Sequence, residues 1–200
     1  MSLFKRLLNP NYKAEEQKKQ SDQSKYYPDE KLPIDEKFTY NFKQNGGKFL
    51  YSENMTEVME IFDNILLEND WYEQDVFCLN DTLKKTFDGF NLNFERKPNC
   101  KFFFSTCEAL VAKNGSILFS SNQLKEKKLD ELPSSFVIFA RTSQIVETIS
   151  EGLRNIKNQS QGKIPTGITT IQDFETEKEK DFMSYGSSTK DLYLLLLEDL

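Results

Sequence analysis

The 200-residue chain contains no histidine, and this absence removes more chemistry than any other feature of its composition. Without imidazole there is no Ser-His-Asp or Cys-His arrangement, no histidine metal ligand, and no side chain whose ordinary pKa makes it a general base at neutral pH. Any acid-base chemistry must use carboxylate, lysine, tyrosine or backbone groups. Cysteine is scarce as well: Cys78, Cys100 and Cys107 are three in number and widely spaced, with no CxxC or CxxxC pair to hold zinc or an iron-sulfur cluster. They are expected to be reduced thiols, mostly buried, and a nucleophilic Cys107 would lack its base. No cofactor is therefore expected in this chain. No run reaches the roughly 18 apolar residues of a membrane-crossing helix, and the N-terminus lacks the apolar core and cleavage site of a secretory signal. The expectation is a cytoplasmic protein with no transmembrane segment. Basic stripes interleaved with aromatics are missing too, and a net charge of -6 with a pI near 5.0 repels a phosphate backbone, which argues against nucleic acid as a partner. No P-loop, GxGxxG fingerprint or internal repeat is present.

What remains is the composition of a folded domain. Phe supplies 17 aromatics against 8 Tyr and 1 Trp, so packing is expected to rest on phenylalanine, while 29% charged residues keep the surface wet. Residues 1-30 read as an appendage. Leu3, Phe4, Leu7 and Leu8 share one face of a short amphipathic turn, Asn9-Pro10 stops it, and the stretch from Lys13 to Lys25 is almost wholly charged or polar. Such a leader either docks on a partner or membrane surface or folds back on its own domain.

Residues 31-200 carry the regular pattern. Asp35 is placed to cap a helix bearing Phe38 and Phe42 that closes at Gly46-Gly47, and a strand follows at Lys48 to Ser52. Thr56 to Glu68 has Val58, Ile61, Phe62, Ile65 and Leu66 at helical spacing, with Asn54 or Thr56 as cap. Val76 to Leu79 reads as a strand and Asp81 to Phe87 as a helix opened by an acid. Phe102 to Phe104 and Phe136 to Ala140 are apolar without alternation, as strands buried on both faces must be. Ala109 to Ala112, Asn114-Gly115 and Ser116 to Ser120 form a hairpin with a tight turn. Ser143 is placed to cap a helix striped by Ile145, Val146, Ile149 and Leu153, and strands resume at Ile168 to Ile171 and Leu192 to Leu197. The order predicts an α/β fold, a mostly parallel sheet covered by helices, made mixed by the inserted hairpin.

Ligands of open parallel sheets sit beyond the carboxyl ends of strands. Two loops are candidates: Asn114-Gly115-Ser116, and the run from Tyr185 to Asp191, where Gly186, Ser187, Ser188 and Thr189 offer amides and hydroxyls for an anion. Read from composition alone, either is equally a polar turn. Glu108, Asp173 and Asp191 are individually eligible as acids, and sequence spacing does not say which of them converge.

Four stretches resemble the LUD (lactate-utilisation) family. Residues 105-118, from Ser105-Thr106-Cys107-Glu108-Ala109 to Asn114-Gly115-Ser116-Ile117-Leu118, are similar to its threonine, alanine-rich strand and TGT hairpin. Leu132-Pro133 before Phe136-Val137-Ile138-Phe139-Ala140 resembles its LP and apolar strand, Ser143-Gln144-Ile145-Val146 its next helix start, and Gly186-Ser187-Ser188-Thr189-Lys190-Asp191-Leu192 its GPSxTADI loop. Asn114 stands where threonine is usual and Ser187 where proline is usual. The family's His-Gly-Pro segment has no counterpart, because Asp191-Leu192 runs straight into Tyr193 and four leucines. The resemblance implies a NagB/RpiA/CoA-transferase-like three-layer fold and an accessory place in oxidising L-lactate to pyruvate, beside iron-sulfur subunits that carry the electrons. It also implies a small carboxylate or phosphate ligand at Asn114, Gly115, Ser116, Gly186, Ser187, Ser188 and Thr189. The alternative is an adaptor that keeps the fold without the ligand site; the reaction itself is left open.

Overall fold

A strand enclosed by two layers cannot alternate polar and apolar side chains, and the middle of this protein is built from such strands. A computed structural model describes residues 32-95, 97, 99-160, 164-174 and 190-200. Six strands form a parallel sheet: β1 (Lys48–Ser52), β2 (Asp75–Phe77), β3 (Asn93–Glu95), β4 (Phe102–Thr106), β7 (Ser135–Arg141) and β10 (Asp191–Leu197), in the spatial order β1-β10-β7-β4-β2-β3. The hairpin strands β5 (Ala109–Val111) and β6 (Ser116–Phe119) do not join this sheet. They pair with β8 (Ile145–Val146) and β9 (Thr169–Ile171) in a second sheet ordered β8-β5-β6-β9. The large sheet is thus parallel throughout, and the mixed pairing expected of it belongs to the smaller one.

Side chains along β7 and β10 divide between two cores. Phe136, Ile138 and Ala140, with Leu192, Leu194 and Leu196, face one side. Val137 and Phe139, with Tyr193, Leu195 and Leu197, face the other. The second face is covered by α2 (Met55–Asn69) and α3 (Asp81–Thr86), through Val58, Phe62, Ile65, Leu66 and Leu83. The first is covered by α1 (Ile34–Gln44), through Phe38 and Phe42, and by the second sheet, through Leu110, Ile117 and Phe119. These are the three layers. Outside the second sheet lies α5 (Ile149–Gln159), whose Ile156 packs on Ala109, Val111, Leu118 and Val146, and a short α4 (Ser121–Leu124) follows β6.

Phenylalanine dominates the packing as its abundance predicts. Phe62 stacks on Phe104 with centroids 5.0 Å apart, and Phe87 meets both edge-on at 4.8 and 4.9 Å. Such ring pairs add to the stabilisation from buried area alone.

Two helix starts, those at Asp35 and Asp81, differ from the sequence expectation by one shared cause. The Asn54 side chain accepts from Glu57 N and caps α2, one of the two candidates. For α3 the cap is Asn80, which accepts from Thr82 and Leu83 N, and Asp81 is its first residue. Asp35 lies in the first turn of α1, which begins after Pro33 with no side-chain cap. Ser143 caps nothing in α5: Thr148 does so by accepting from Glu151 N, while Ile145 and Val146 are strand. An acid in the first turn gains from the helix dipole without being the capping residue, and the two positions look alike in sequence. The leader, residues 1-30, lies outside the described residues. No described helix is long and apolar enough to cross a membrane.

Truncating Phe104 to Ala should destabilise the fold by about 3–5 kcal/mol, read from urea unfolding. Thr148→Ala should cost about 1 kcal/mol through loss of the α5 cap, visible as a lower urea midpoint with unchanged slope.

Candidate functional site

The hairpin turn is held by what surrounds it. Gly115 has φ +68, and a Cβ there would lie 2.4 Å from the backbone of Asn41 and Phe42, so only glycine lets the turn press on α1. Asn41 Nδ2 donates to the Ala112 carbonyl at 2.8 Å and Asn45 Nδ2 to that of Asn114 at 2.7 Å. The turn also uses its own donors: Gly115 N bonds Val111 O at 2.9 Å, and Ser116 N and Oγ both donate to Asn114 Oδ1, at 3.3 and 2.8 Å. Ser116 is fully buried. Of the three residues, Asn114 reaches furthest outward, donating through Nδ2 to Gln172 Oε1 at 3.1 Å.

Gln172 leads into the segment that carries the second predicted loop. Phe174 N bonds Asn45 O at 3.0 Å, and Lys190 N bonds Asp173 O at 3.4 Å, so residues 174 and 190 both lie beside the hairpin turn and the end of α1. Gly186, Ser187, Ser188 and Thr189 lie outside the described residues. The described chain resumes at Lys190, at the amino end of β10.

Lys190 is buried without a carboxylate in hydrogen-bond reach among the described residues. Its Nζ donates to the carbonyls of Leu132 and Pro133, at 3.1 and 3.0 Å, and sits 5.2 Å from the centroid of Phe136. Burial lowers its pKa below the ordinary 10.5, with the charge of Asp130 acting in the opposite sense. The same contact fixes the spacing of the Leu132-Pro133 turn from β10.

The carboxyl edge of the large sheet holds a polar cluster that sequence reasoning missed. Asp199 accepts from Thr142 Oγ1 (2.9 Å), Ser143 N (2.9 Å) and Ser143 Oγ (2.8 Å), with the Arg141 guanidinium 3.9 Å away. Desolvation pushes the Asp199 pKa up, but the bonds from Ser143 and Thr142 and the charge of Arg141 outweigh it and hold the group below 3.8. Tyr51 donates its hydroxyl to Glu198, and Gln144 Nε2 donates to the Cys107 carbonyl at 2.7 Å. The Ser52 hydroxyl is buried there with no hydrogen-bond partner among the described residues. The available signal was register: β7 and β10 pair in parallel from Asp191↔Ser135 to Leu197↔Arg141, so residues just after each strand must meet.

Of the three eligible acids, Glu108 and Asp191 lie at opposite edges of the large sheet and do not form a catalytic pair. Glu108 follows β4 at the carboxyl edge, where its Oε1 accepts from Ser120 Oγ, Asn122 Nδ2 and Gln123 Nε2. Asp191 lies at the opposite edge, 2.9 Å from Lys48 Nζ, and the Asp173 carbonyl accepts from Lys190 N. Cys107 is buried, and burial with the charge of Glu108 raises its pKa strongly, opposite to what a nucleophile requires. Cys78 is likewise pushed up to about 11, mainly by burial, and it lies in the core on the other face of the sheet from Cys107. Among the described residues no group of three or more Cys, Asp or Glu is placed to hold a metal ion.

Comparison with known proteins adds to this geometry. The family model described as the LUD domain matches residues 91–197. No curated protein matches the chain. Among solved structures, the chain is similar to a DUF162 family protein from Deinococcus radiodurans, at 10% identity and TM-score 0.56, over 83% of this chain and 96% of that one. At that identity the likeness shows a shared fold.

Three measurements test the site's construction. Gly115→Ala should destabilise by at least about 2 kcal/mol, since it adds a clash to a positive φ, checked by urea unfolding. The Asp199 carboxyl should titrate below 3.8 by NMR and move toward that value in Thr142→Ala/Ser143→Ala. For Lys190 the unfolded state holds its proton more tightly, so its contribution to stability rises as pH climbs from the lowered folded pKa toward 10.5. Lys190→Met should flatten that part of the stability-pH curve.

Proposed function

The chain belongs to the LUD domain family, which is associated with lactate utilisation, and on that premise we propose that it is a cytoplasmic accessory component of L-lactate oxidation to pyruvate. In this reading it holds a small anion, a carboxylate or a phosphate, between the Asn114-Gly115-Ser116 turn and residues Gly186, Ser187, Ser188 and Thr189. Partner iron-sulfur subunits carry the electrons in this reading, as the family resemblance implies. The observation that supports the site is the convergence of the turn with both flanks of the second loop: Asn114 on Gln172, Asn45 on Phe174, and Asp173 on Lys190. The turn and the described residues that flank the second loop, Phe174 and Lys190, thereby lie close together.

One observation favours a second reading, an adaptor that keeps the fold and has lost the ligand. The Gly115 and Ser116 amides, the donors an anion would use, are already bonded within the turn. Thermal shift of the purified chain against L-lactate, pyruvate and inorganic phosphate separates the two. A ligand that binds only the folded state stabilises it by about 2.7 kcal/mol at a hundred times its Kd. The ligand reading expects a saturable rise in Tm that Ser188→Ala/Thr189→Ala abolishes. No rise at high ligand concentration would leave the adaptor.

A further inference from the structure

A second feature, lying between those two loops in sequence, gathers three lysines against two acids. After α4 the chain turns through Leu124 to Lys127 and runs beside residues 166-169, enclosing a groove of about 790 Å³. The two walls are tied where Ser121 N donates to Thr166 O at 2.8 Å and Thr166 N donates to Ser121 Oγ at 3.0 Å. Lys125, Lys127 and Lys128 line one wall, and Thr166, Gly167 and Thr169 the other. None of the three lysine side chains has a hydrogen bond or ion pair among the described residues, although the chain as a whole is acidic at -6. The volume lies within the range of about 300–1,000 Å³ typical of small-molecule clefts.

The backbone gives a second, independent indication. Lys125 has φ 55 and ψ -125, the torsions of the first central residue of a type II′ turn, and Lys127 N closes that turn onto Leu124 O at 3.1 Å. Glycine is the residue that adopts this conformation without strain. A lysine held there sacrifices stability, and its side chain is what the sequence gains in return. Strain of this kind concentrates at ligand sites, where the surrounding structure over-determines it.

We propose that this groove binds a phosphorylated small molecule carrying at least two negative charges. Lysine ammonium groups act on phosphate as point charges, without the planar match that arginine makes with carboxylate. Thr166 and Thr169, residues able to donate through hydroxyls, line the opposite wall. Gly167, with φ +61, has no atom within 4 Å of the place a Cβ would take, which leaves its backbone open to approach. Two acids, Glu126 and Asp130, also line the groove. Asp130 lies within electrostatic reach of buried Lys190, whose positive charge partly offsets it. A singly charged carboxylate gains little from this balance, and a multiply charged phosphate gains from all three lysines.

Titration of the 15N-labelled chain with inorganic pyrophosphate, with L-lactate as a monocarboxylate arm, tests the assignment. Pyrophosphate should shift the amides of both walls, 125–130 and 166–169, together and saturably, with binding that weakens as salt is raised. L-lactate should leave both walls unmoved. Lys127→Gln/Lys128→Gln should weaken pyrophosphate at least about tenfold. Lys125→Gly should raise Tm by relieving the turn while also weakening binding, a pairing that a purely structural lysine would not produce. The proposal is overturned if no saturable shift occurs, if the double variant binds as tightly as the unaltered chain, or if Lys125→Gly raises Tm without affecting binding.

Discussion

Burial of β7 and β10 on both faces is the constraint on which the rest of the protein depends. Each residue from Phe136 to Ala140 and from Leu192 to Leu197 contributes to one core or the other. Within those runs the one polar group is the Tyr193 hydroxyl, engaged by Lys48 and Asn69, so function is displaced to the two edges of the sheet. At the carboxyl edge the residues that follow the strands are satisfied, Asp199 by Thr142 and Ser143, and Glu198 by Tyr51 near the end of β1. At the amino edge Lys190 is drawn inward and held by two carbonyls.

Much of the fold was legible because its signals were local. Three wholly apolar runs became the strands β4, β7 and β10, and Asn114-Gly115 marked a real hairpin turn. The hairpin's destination was not legible, since a strand's sequence records that it is buried and not which sheet buries it. Ile145-Val146 misled for a different reason. Two adjacent apolar residues four and three positions before Ile149 satisfy helical spacing, yet they pair with Leu110 and Val111 as a short parallel strand. The helix begins only at Ile149, after the Thr148 cap.

The site divided along similar lines. That Asn114 and the flanks of residues 175–189 would adjoin followed from resemblance and not from spacing. Nothing in the sequence marked Asn45 or Gln172 as the residues that link them. The Asp199 cluster was hidden because its members are 56 and 57 positions apart and meet only through the parallel register of two neighbouring strands. Lys125 was hidden more deeply: a lysine in a charged loop looks solvated, and only its torsions distinguish it.

The pairing of β1 with β10 has a consequence for how the chain is made. Lys48 and Tyr193 are partners across 145 positions, and β1 touches the large sheet through β10 alone. Contacts of such long range close late and slow the search for the native state. A chain emerging from the ribosome can pack the β2, β3, β4 and β7 ladder early, but until Asp191 to Leu197 has been synthesised, β1 and the flank of β7 remain two open parallel edges. Each is a template for another chain. The vulnerable species of this protein is therefore the nascent chain before β10 has emerged, with an interior strand of the sheet still missing, and its yield in cells should depend more on protection of that intermediate than on the stability of the finished fold.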